Sequence, residues 1–355
     1  MIKPKKSLLG LERIGHPVKN RDKMVTLERN ERTIDFQDDI IKEIAQAING
    51  FNLRAYPDLD ELYEKMSGWL GISSSQIFIT QGADGGLKSV WDAYVEENDE
   101  VIILSPSYAM YPVYCAMYNA VPVEITYEED LSLPLEKITS RINNNTRVVA
   151  IANPNQPIES LFNFDELTKL AKKCLEHSSL LVVDEAYYHF SEVSAINLLD
   201  EFENVIIVRT FSKAFGVAGL RLGYTIAQGQ TIIYLKALKH IYEVNSITAA
   251  IGVYLIENLH IMENYVDDVN KGRDILSLYF SSVGCNLHGL HSNTLLVGLP
   301  KEYNCNKIEQ VAKDAGYLIK SQVIYPTMNH LRITLGPPDQ MQSFIKAIDC
   351  CFETK

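Results

Sequence analysis

Short hydrophobic runs alternate with longer amphipathic stretches between about residue 50 and residue 230. The runs are continuous and rich in Val and Ile, which is typical of a parallel sheet covered by helices on both faces. The predicted strands are Ile77–Thr80, Val101–Ser105, Val121–Thr126, Val148–Ala152, Leu180–Asp184, Val205–Thr210 and Leu222–Ala227. The helices predicted between them include Asp58–Leu70, Asp84–Glu96, Phe164–Glu176 and Thr231–His240.

The pattern changes after about residue 240. A long helical region over Ile241–Phe280 is followed by shorter predicted strands and a last helix, namely Thr294–Val297, Tyr317–Ile319, Leu331–Thr334 and a helix near Asp339–Cys351. We therefore predict a large domain over residues 36–240 and a smaller α+β domain over residues 241–355. Residues 1–35 are polar and irregular, and we expect them to form an arm that packs with the small domain.

Composition narrows the possible functions. Of the 355 residues 46% are hydrophobic, and the formal net charge of −12 argues against a nucleic-acid partner. No apolar run approaches the roughly 20 residues that span a bilayer, and no charged-then-apolar leader is evident, so we expect a cytoplasmic protein. The six cysteines and eight histidines show no metal-binding spacing, which favours reduced thiols over disulfides or a metal site.

Two predicted strands end in polar residues that suit a single ligand. In parallel sheets, ligands bind at the carboxyl ends of the strands. The glycine-rich stretch Gln81–Gly86 leads into a helix whose N-terminal N–H groups can bind a phosphate, although such turns are also common without a ligand. Asp184 follows a purely aliphatic strand, so its carboxylate would be desolvated unless it meets a cation. A protonated pyridine nitrogen is one such partner, and a helix or turn cap is the alternative.

Lys213 follows the next predicted strand, 29 residues after Asp184. Taken alone, the position of Lys213 is typical of a solvent-exposed lysine in a loop. Its neighbours Thr210 and Ser212 offer hydroxyls to a phosphate, and Arg221 offers a fork of N–H donors. A lysine in this place can form an imine with an aldehyde. Together these residues predict pyridoxal 5′-phosphate (PLP) as the cofactor, because PLP requires a phosphate site, a carboxylate on its ring nitrogen and a lysine.

The sequence resembles fold-type I PLP enzymes of the class I/II aminotransferases, and within them the histidinol-phosphate aminotransferase group, from about Leu27 to the C-terminus. The resemblance is carried by RAYPDLDELYEKMSGWLGISSSQIFITQGADGG, SPSYAMYPVY, NPNQP, VVDEAYYHF, RTFSKAFGVAGLRLGY and LRITLG. It implies a mainly parallel seven-stranded sheet flanked by helices, with a smaller α+β C-terminal domain.

The resemblance also implies roles for individual residues. Lys213 would form the imine and later move a proton between the substrate carbon and the cofactor. Asp184 would pair with the ring nitrogen, Tyr187 would donate to the ring hydroxyl, and Tyr108 would stack on the ring. The residues implied to hold the cofactor phosphate are the backbone of Ala83 and Asp84 together with Thr210, Ser212 and Arg221.

Two further implications concern assembly and substrate. Tyr56 would reach the phosphate bound by the other subunit, which makes the protein a homodimer with shared active sites. Arg332 would bind the carboxylate or phosphate of the substrate. Arg32, in LERNERT, would be a second anion contact. Lys320 stands where relatives commonly have an arginine, and lysine lacks the bidentate fork of arginine.

One loop departs from the family pattern. Relatives usually carry Asn-Asn-Pro-Thr-Gly where this chain has Asn155-Gln156-Pro157-Ile158-Glu159. The asparagine that contacts the ring oxygen therefore falls on Gln156, which is one methylene longer. Either Gln156 makes this contact from a shifted loop, or Asn155 makes it.

These observations predict an aminotransferase that acts on a small anionic or phosphorylated amino substrate. Histidinol phosphate with 2-oxoglutarate is the default pair that the resemblance implies. A decarboxylase of a phosphorylated amino acid is the first alternative, since the same scaffold serves both reactions. The altered loop suggests a second alternative, a PLP-binding protein with little catalysis.

Overall fold

A computed structural model describes residues 2, 5, 7, 11, 21–324 and 328–352, except for the side chains of 322–324 and 328. The strands, in chain order, are β1 (Val25–Thr26), β2 (Ile77–Gln81), β3 (Glu100–Ser105), β4 (Val121–Thr126), β5 (Thr146–Ala152), β6 (Leu180–Asp184), β7 (Val205–Thr210), β8 (Leu222–Ala227), β9 (Asn286–His288), β10 (Thr294–Leu299), β11 (Tyr317–Leu318), β12 (Lys320–Ile324) and β13 (Met328–Thr334).

The helices cover both faces of the largest sheet and one side of the smaller one. They are α1 (Asp38–Gln46), α2 (Gly50–Arg54), α3 (Asp60–Leu70), α4 (Gly82–Tyr94), α5 (Met110–Tyr118), α6 (Leu135–Arg141), α7 (Phe164–Glu176), α8 (Tyr188–Ser191), α9 (Gly229–Ala237), α10 (Ser246–Glu257), α11 (His260–Ser282), α12 (Cys305–Asp314) and α13 (Pro338–Ile348). Within the described ranges, no helix is long and apolar enough to cross a bilayer.

The central sheet has seven strands in the order β2-β8-β7-β6-β5-β3-β4. All of them run in one direction except β8, which is antiparallel to both of its neighbours. The inner strands are buried over almost their whole length, since helices cover both faces. The prediction of a mainly parallel seven-stranded sheet is confirmed, and each predicted strand in it is present within two residues of its predicted ends.

The helices were predicted less completely. α5 and α6 lie in stretches that the periodicity did not mark, because α5 is apolar on most of its circumference and α6 is short. The helical region predicted over Ile241–Phe280 is two helices, and the first begins only at Ser246. The side chain of Asn245 caps α10 by accepting a hydrogen bond from the backbone N–H of Thr248, which fixes this start.

A second, antiparallel sheet has the order β12-β13-β10-β9. The short strands β9 and β12 and the helix α12 were not predicted, whereas β10, β11, β13 and α13 were. The N-terminal segment joins this part of the fold, because β1 pairs with β11 and the backbone N–H of Thr334 donates to the carbonyl of Leu27. The domain boundaries at residues 35 and 240 remain predictions.

The reversed direction of β8 decides which residues meet at the sheet edge. β2, β3, β5, β6 and β7 all end at one edge, and β8 begins there. Residues that follow the parallel strands therefore lie beside the residue that precedes β8, which is Arg221. The candidate site lies at this edge.

Candidate active site

Hydroxyl groups and a guanidinium form an anion-binding cradle at the end of β7. The hydroxyl of Thr210 donates to Ser212 Oγ at 2.9 Å, and Arg221 Nη1 lies 3.4 Å from the same Ser212 oxygen. The first turn of α4 faces them and supplies N–H groups that have no partner inside the helix. These donors can together bind a phosphate.

Glycine is required where α4 begins. A Cβ on Gly82 would lie 2.7 Å from Arg221 Nη2, and the backbone φ of Gly82 is +71°. A Cβ on Gly223 would lie 2.4 Å from the carbonyl carbon of Gly82. The missing side chains let the start of α4 approach β8 and the Arg221 guanidinium, which closes the cradle.

Asp84 and Tyr108 form one wall of the site. The Tyr108 hydroxyl donates to Asp84 Oδ1, and Asp84 Oδ2 lies 3.5 Å from Arg221 Nη2. Burial and the Asp84 carboxylate raise the pKa of Tyr108 far above its ordinary value. Tyr108 therefore stays protonated, and its ring lies edge-to-face with Tyr111 at 5.6 Å.

Asp184 is a buried acid at the end of β6. It accepts hydrogen bonds from the Tyr111 hydroxyl at 3.2 Å and from the backbone N–H of Ala186 at 3.1 Å. Burial raises the pKa of Asp184 to about 6. It forms no ion pair with any residue in 21–324 or 328–352. A protonated ring nitrogen would supply the positive charge that this carboxylate lacks.

Lys213 and Tyr187 both meet the N-terminal segment Glu28–Arg32. Lys213 Nζ donates to the carbonyls of Asn30 at 3.1 Å and Arg29 at 3.4 Å. The Tyr187 hydroxyl accepts a hydrogen bond from Asn30 Nδ2 at 2.7 Å. Lys213, Tyr187 and Arg32 were predicted from the sequence, but Asn30 was not, because its partners are more than 150 residues away along the chain.

Arg332 approaches the same segment from the small sheet. Its Nη2 donates to the carbonyl of Glu28 at 2.8 Å, while its buried Nε has no partner among the described residues. Burial lowers the pKa of Arg332, although Tyr187 and Glu28 partly offset this effect. Lys320 pairs with Arg332 in the register of β12 and β13, so both side chains project from one face of the sheet.

Arg32 is held by aromatic rings. Its guanidinium carbon lies 4.3 Å from the ring centre of Phe36 and 4.1 Å from that of Tyr265. Burial lowers the pKa of Arg32, and its buried Nε and Nη1 have no partner among the described residues. The stem of Arg32 also packs against Gly216, where a Cβ would come within 2.7 Å of it.

The two amides of the altered loop have protein partners. Gln156 Nε2 donates to Ser292 Oγ at 2.8 Å, and Gln156 Oε1 accepts from Thr294 Oγ1 at 3.0 Å. Asn155 Nδ2 donates to the carbonyls of Pro106 at 3.1 Å and Ile158 at 3.0 Å. Which of the two amides contacts the cofactor ring stays a prediction.

Glu159 occupies the place where relatives carry glycine. It is buried, accepts a hydrogen bond from the backbone N–H of His291, and packs against Gly289. Burial raises the pKa of Glu159 to about 7, although the nearby Arg273 opposes this rise. Glu159 and Gln156 together connect the loop after β5 to the small sheet.

Tyr56 lies outside the cradle, on the surface. It is 77% exposed, and its ring stacks on Tyr242 at 4.5 Å. Tyr56, Gln81 and Arg221 line one open cavity of about 900 Å³ beside the cradle.

A buried ion pair beneath the site was also missed. Arg209 Nη2 lies 2.8 Å from Glu185 Oε2, and the Arg209 guanidinium lies 3.8 Å from the centre of the Tyr188 ring. Burial acts to lower the pKa of Arg209, but the combined effects of Glu185 and Tyr224 outweigh it, so the pKa of Arg209 lies above its ordinary value. In the sequence, this pair is visible as one charged residue at the end of each of two hydrophobic runs, Glu185 after Leu180–Asp184 and Arg209 after Val205–Val208.

Comparison with known proteins agrees with this geometry. Residues 22–348 match the family model for aminotransferases of class I and II. Histidinol-phosphate aminotransferase 1 of Carboxydothermus hydrogenoformans is 30% identical over 91% of this chain and 92% of its own. Histidinol-phosphate aminotransferase of Caldanaerobacter subterraneus subsp. tengcongensis is 26% identical over 94% and 95%.

A solved structure shows the same fold. The histidinol-phosphate aminotransferase from Sinorhizobium meliloti, in complex with pyridoxal-5′-phosphate, superposes with a TM-score of 0.87 at 22% identity, covering 99% of this chain and 98% of that one. The protein is therefore a PLP-dependent enzyme of fold type I. It belongs to the class I and II aminotransferases.

The residues at the sheet edge fit this cofactor. The cradle of Thr210, Ser212 and Arg221 can meet the first turn of α4 because Gly82 lacks a side chain. Asp184 is a buried carboxylate that forms no ion pair within the described residues, and Lys213 brings an amine to the same edge. A phosphate, a ring nitrogen and an aldehyde each find a complementary group here.

Proposed function

We propose that this aminotransferase acts on a small phosphorylated amine, with histidinol phosphate as the amino donor and 2-oxoglutarate as the acceptor. The shared name of the curated relatives supports this choice of donor. The observation that carries the proposal is the placement of Arg332. Its half-buried guanidinium and Lys213 both donate to the Glu28–Arg32 segment, which supports an anion-binding group beside the reactive amine.

PLP, when bound, withdraws electrons from the amine-bearing carbon of the substrate. We assign to Lys213 the covalent attachment of the cofactor and, through Nζ, the transfer of a proton at that carbon. Asp184 would hold the ring nitrogen in its protonated form, because its carboxylate is buried and forms no ion pair within the described residues. Tyr187 donates to the ring oxygen, and Tyr108 stacks on the ring.

The cofactor phosphate binds in the cradle. Its proposed donors are the N–H groups of Ala83 and Asp84, the hydroxyls of Thr210 and Ser212, and the Arg221 guanidinium. Gln156 and Asn155 are alternative contacts for the ring oxygen. The amide of Gln156 also binds Ser292 and Thr294.

We propose Arg332 as the main anion contact for the substrate. Its Nε has no partner in residues 21–324 and 328–352, which leaves a donor for a phosphate or carboxylate oxygen. Lys320, which is exposed on the same sheet face, adds a positive charge without a fixed geometry. Arg32 keeps two donors without partners among the described residues and could serve as a second contact.

We further propose a cytoplasmic homodimer with shared active sites. Large apolar side chains around Tyr56 are exposed, including Leu53 at 71% and Ile241 at 80%. Such a patch supports burial against a second subunit. The cysteines, all of them free, support a reducing compartment.

Amino-donor spectroscopy tests the reaction type. Histidinol phosphate should bleach the visible band of the PLP-loaded protein and 2-oxoglutarate should restore it, because transamination proceeds in two half-reactions. Release of carbon dioxide with a recovered band would indicate decarboxylation. A band that responds to no phosphorylated donor would contradict the proposed substrate.

Borohydride labelling tests Lys213. Reduction should fix the mass of the cofactor to Lys213 in a peptide map, because this amine lies at the edge where the cradle and Asp184 meet. Lys213→Ala should still bind PLP through the cradle but lose nearly all turnover. Lys169→Ala, on the surface of α7, should behave as wild type. An adduct on another lysine would refute the assignment.

Arg332→Ala should lower kcat/KM for the phosphorylated donor by roughly 30-fold to several thousandfold, since truncating one partner of a desolvated ionic contact costs about 2–5 kcal/mol. Steady-state kinetics should show a smaller loss for the unphosphorylated amine and an unchanged visible spectrum. Arg332→Lys should recover part of the activity.

Arg147→Ala is a matched control, because Arg147 lies near the start of β5 and binds Asp99 at the opposite edge of the sheet. It should leave kcat/KM unchanged. If Arg332→Ala stays within twofold of wild type on every donor, the anion site belongs to Arg32 and Lys320 instead.

Subunit mixing tests the shared site. Tyr56→Phe mixed with Lys213→Ala should yield heterodimers in which one site carries both changes and the other carries neither, so activity should exceed that of either variant alone. Lys213→Ala mixed with Arg332→Ala is the control. Those residues serve the same subunit's site, so each heterodimer site stays defective. Proven subunit exchange without a gain in the first mixture would exclude the model.

A further inference from the structure

Asn30 occupies a special place in the N-terminal segment. It is 4% exposed, and its side-chain Nδ2 donates to the Tyr187 hydroxyl at 2.7 Å. Its backbone φ of +58° is in the left-handed region, where asparagine is tolerated better than most residues. This conformation turns the side chain of Asn30 toward Tyr187.

The backbone of Asn30 is held by groups from both sheets. Its N–H donates to Thr334 Oγ1 at 3.0 Å, and its carbonyl accepts from Asn293 Nδ2 at 3.1 Å. The same carbonyl accepts from Lys213 Nζ at 3.1 Å. Three contacts therefore hold the backbone on both sides of the Asn30 Cα.

The hydrogen bond between Asn30 and Tyr187 determines where the phenolic proton can go. An amide nitrogen can only donate, so the Tyr187 oxygen accepts this bond and keeps its own proton for another acceptor. No group in residues 21–324 or 328–352 accepts a hydrogen bond from the Tyr187 hydroxyl. The proton remains available for a ligand at the sheet edge.

The amides of the altered loop are committed elsewhere. Asn155 Nδ2 donates to two backbone carbonyls, and Asn155 Oδ1 accepts a hydrogen bond from Ser107 Oγ at 2.5 Å. Gln156 is tied at both ends of its amide to Ser292 and Thr294. Asn30 is the amide that contacts Tyr187 directly.

We propose that Asn30 is a positioning residue that orients the Tyr187 hydroxyl, so that its proton is donated to the ring oxygen of PLP. The inference rests on the proposed role of Tyr187 as a cofactor contact. Asn30 acts through Tyr187 and needs no contact with substrate. In this way the N-terminal segment affects the cofactor through Tyr187.

Two substitutions separate the orientation of Tyr187 from backbone effects. Asn30→Gly removes the amide, and glycine adopts the left-handed φ without strain. Asn30→Asp keeps the shape but can only accept when ionised, so it would draw the Tyr187 proton toward itself. The thermal midpoint of each PLP-free variant checks that the fold persists, and Asn30→Gly alone carries the test if Asn30→Asp does not fold.

The readout is the pH midpoint of the visible absorption change in PLP-loaded protein. A donor to an ionised oxygen favours the ionised form, so losing it should raise the midpoint, on the order of one pH unit. Asn30→Gly, Asn30→Asp and Tyr187→Phe should all shift it in this direction. Asn204→Asp is the matched control, a buried asparagine just before β7 at the far edge, and it should leave the midpoint in place.

A double-variant cycle shows whether Asn30 acts through Tyr187. In a Tyr187→Phe background, Asn30→Gly should add no further shift of the midpoint. Any shift that Asn30→Asp causes in that background is an effect of its charge alone, and it is subtracted from the shift that Asn30→Asp causes in the wild-type background. An Asn30→Gly shift that is equally large in both backgrounds would overturn the inference. A wild-type midpoint in Asn30→Asp together with a lowered one in Asn30→Gly would also overturn it, because Tyr187 would then donate to Asn30 in the wild-type protein and would be freed for the ring oxygen when Asn30 is lost.

This experiment also separates the inference from the proposed function. If wild-type protein forms no reducible link between PLP and Lys213, the proposed role of Lys213 fails. If that link forms and no Asn30 variant shifts the midpoint, only the role of Asn30 is rejected.

Discussion

The buried ion pair between Arg209 and Glu185 supports the arrangement of the whole sheet edge. Glu185 follows Asp184 at the end of β6, and Arg209 precedes Thr210 at the end of β7. Two desolvated charges are tolerated only when each satisfies the other, and removing one partner typically costs about 3–5 kcal/mol. The pair therefore fixes the two backbones that present the buried acid and the first hydroxyl of the cradle.

The segment Glu28–Arg32 is the second structural link. It gives backbone carbonyls to Lys213 and Arg332, which come from different sheets, and its Asn30 side chain contacts Tyr187. The cofactor side and the substrate side of the site are thus joined through one stretch of irregular chain. The loop of Gln156 and Glu159 makes a similar connection between the sheets by other means.

The sequence predicted the central sheet well because buried parallel strands read as continuous apolar runs. Lys213 and Asp184 became candidate site residues because each comes after such a run. The strands of the small sheet were harder to predict from the sequence. β9 has three residues, and β12 begins Lys-Ser-Gln, so neither shows an apolar run. Asn30 could not be found from local pattern, because Tyr187 is 157 residues away and only the tertiary fold brings them together.

The reversal of β8 also bears on the order in which the site assembles. Arg221 is nine residues from Ser212, so the cradle closes a short loop between antiparallel neighbours. The contact between Lys213 and Asn30 spans 183 residues. Because the entropy lost on closing a loop grows with its length, we expect the cradle to form early in folding and the N-terminal segment to dock late.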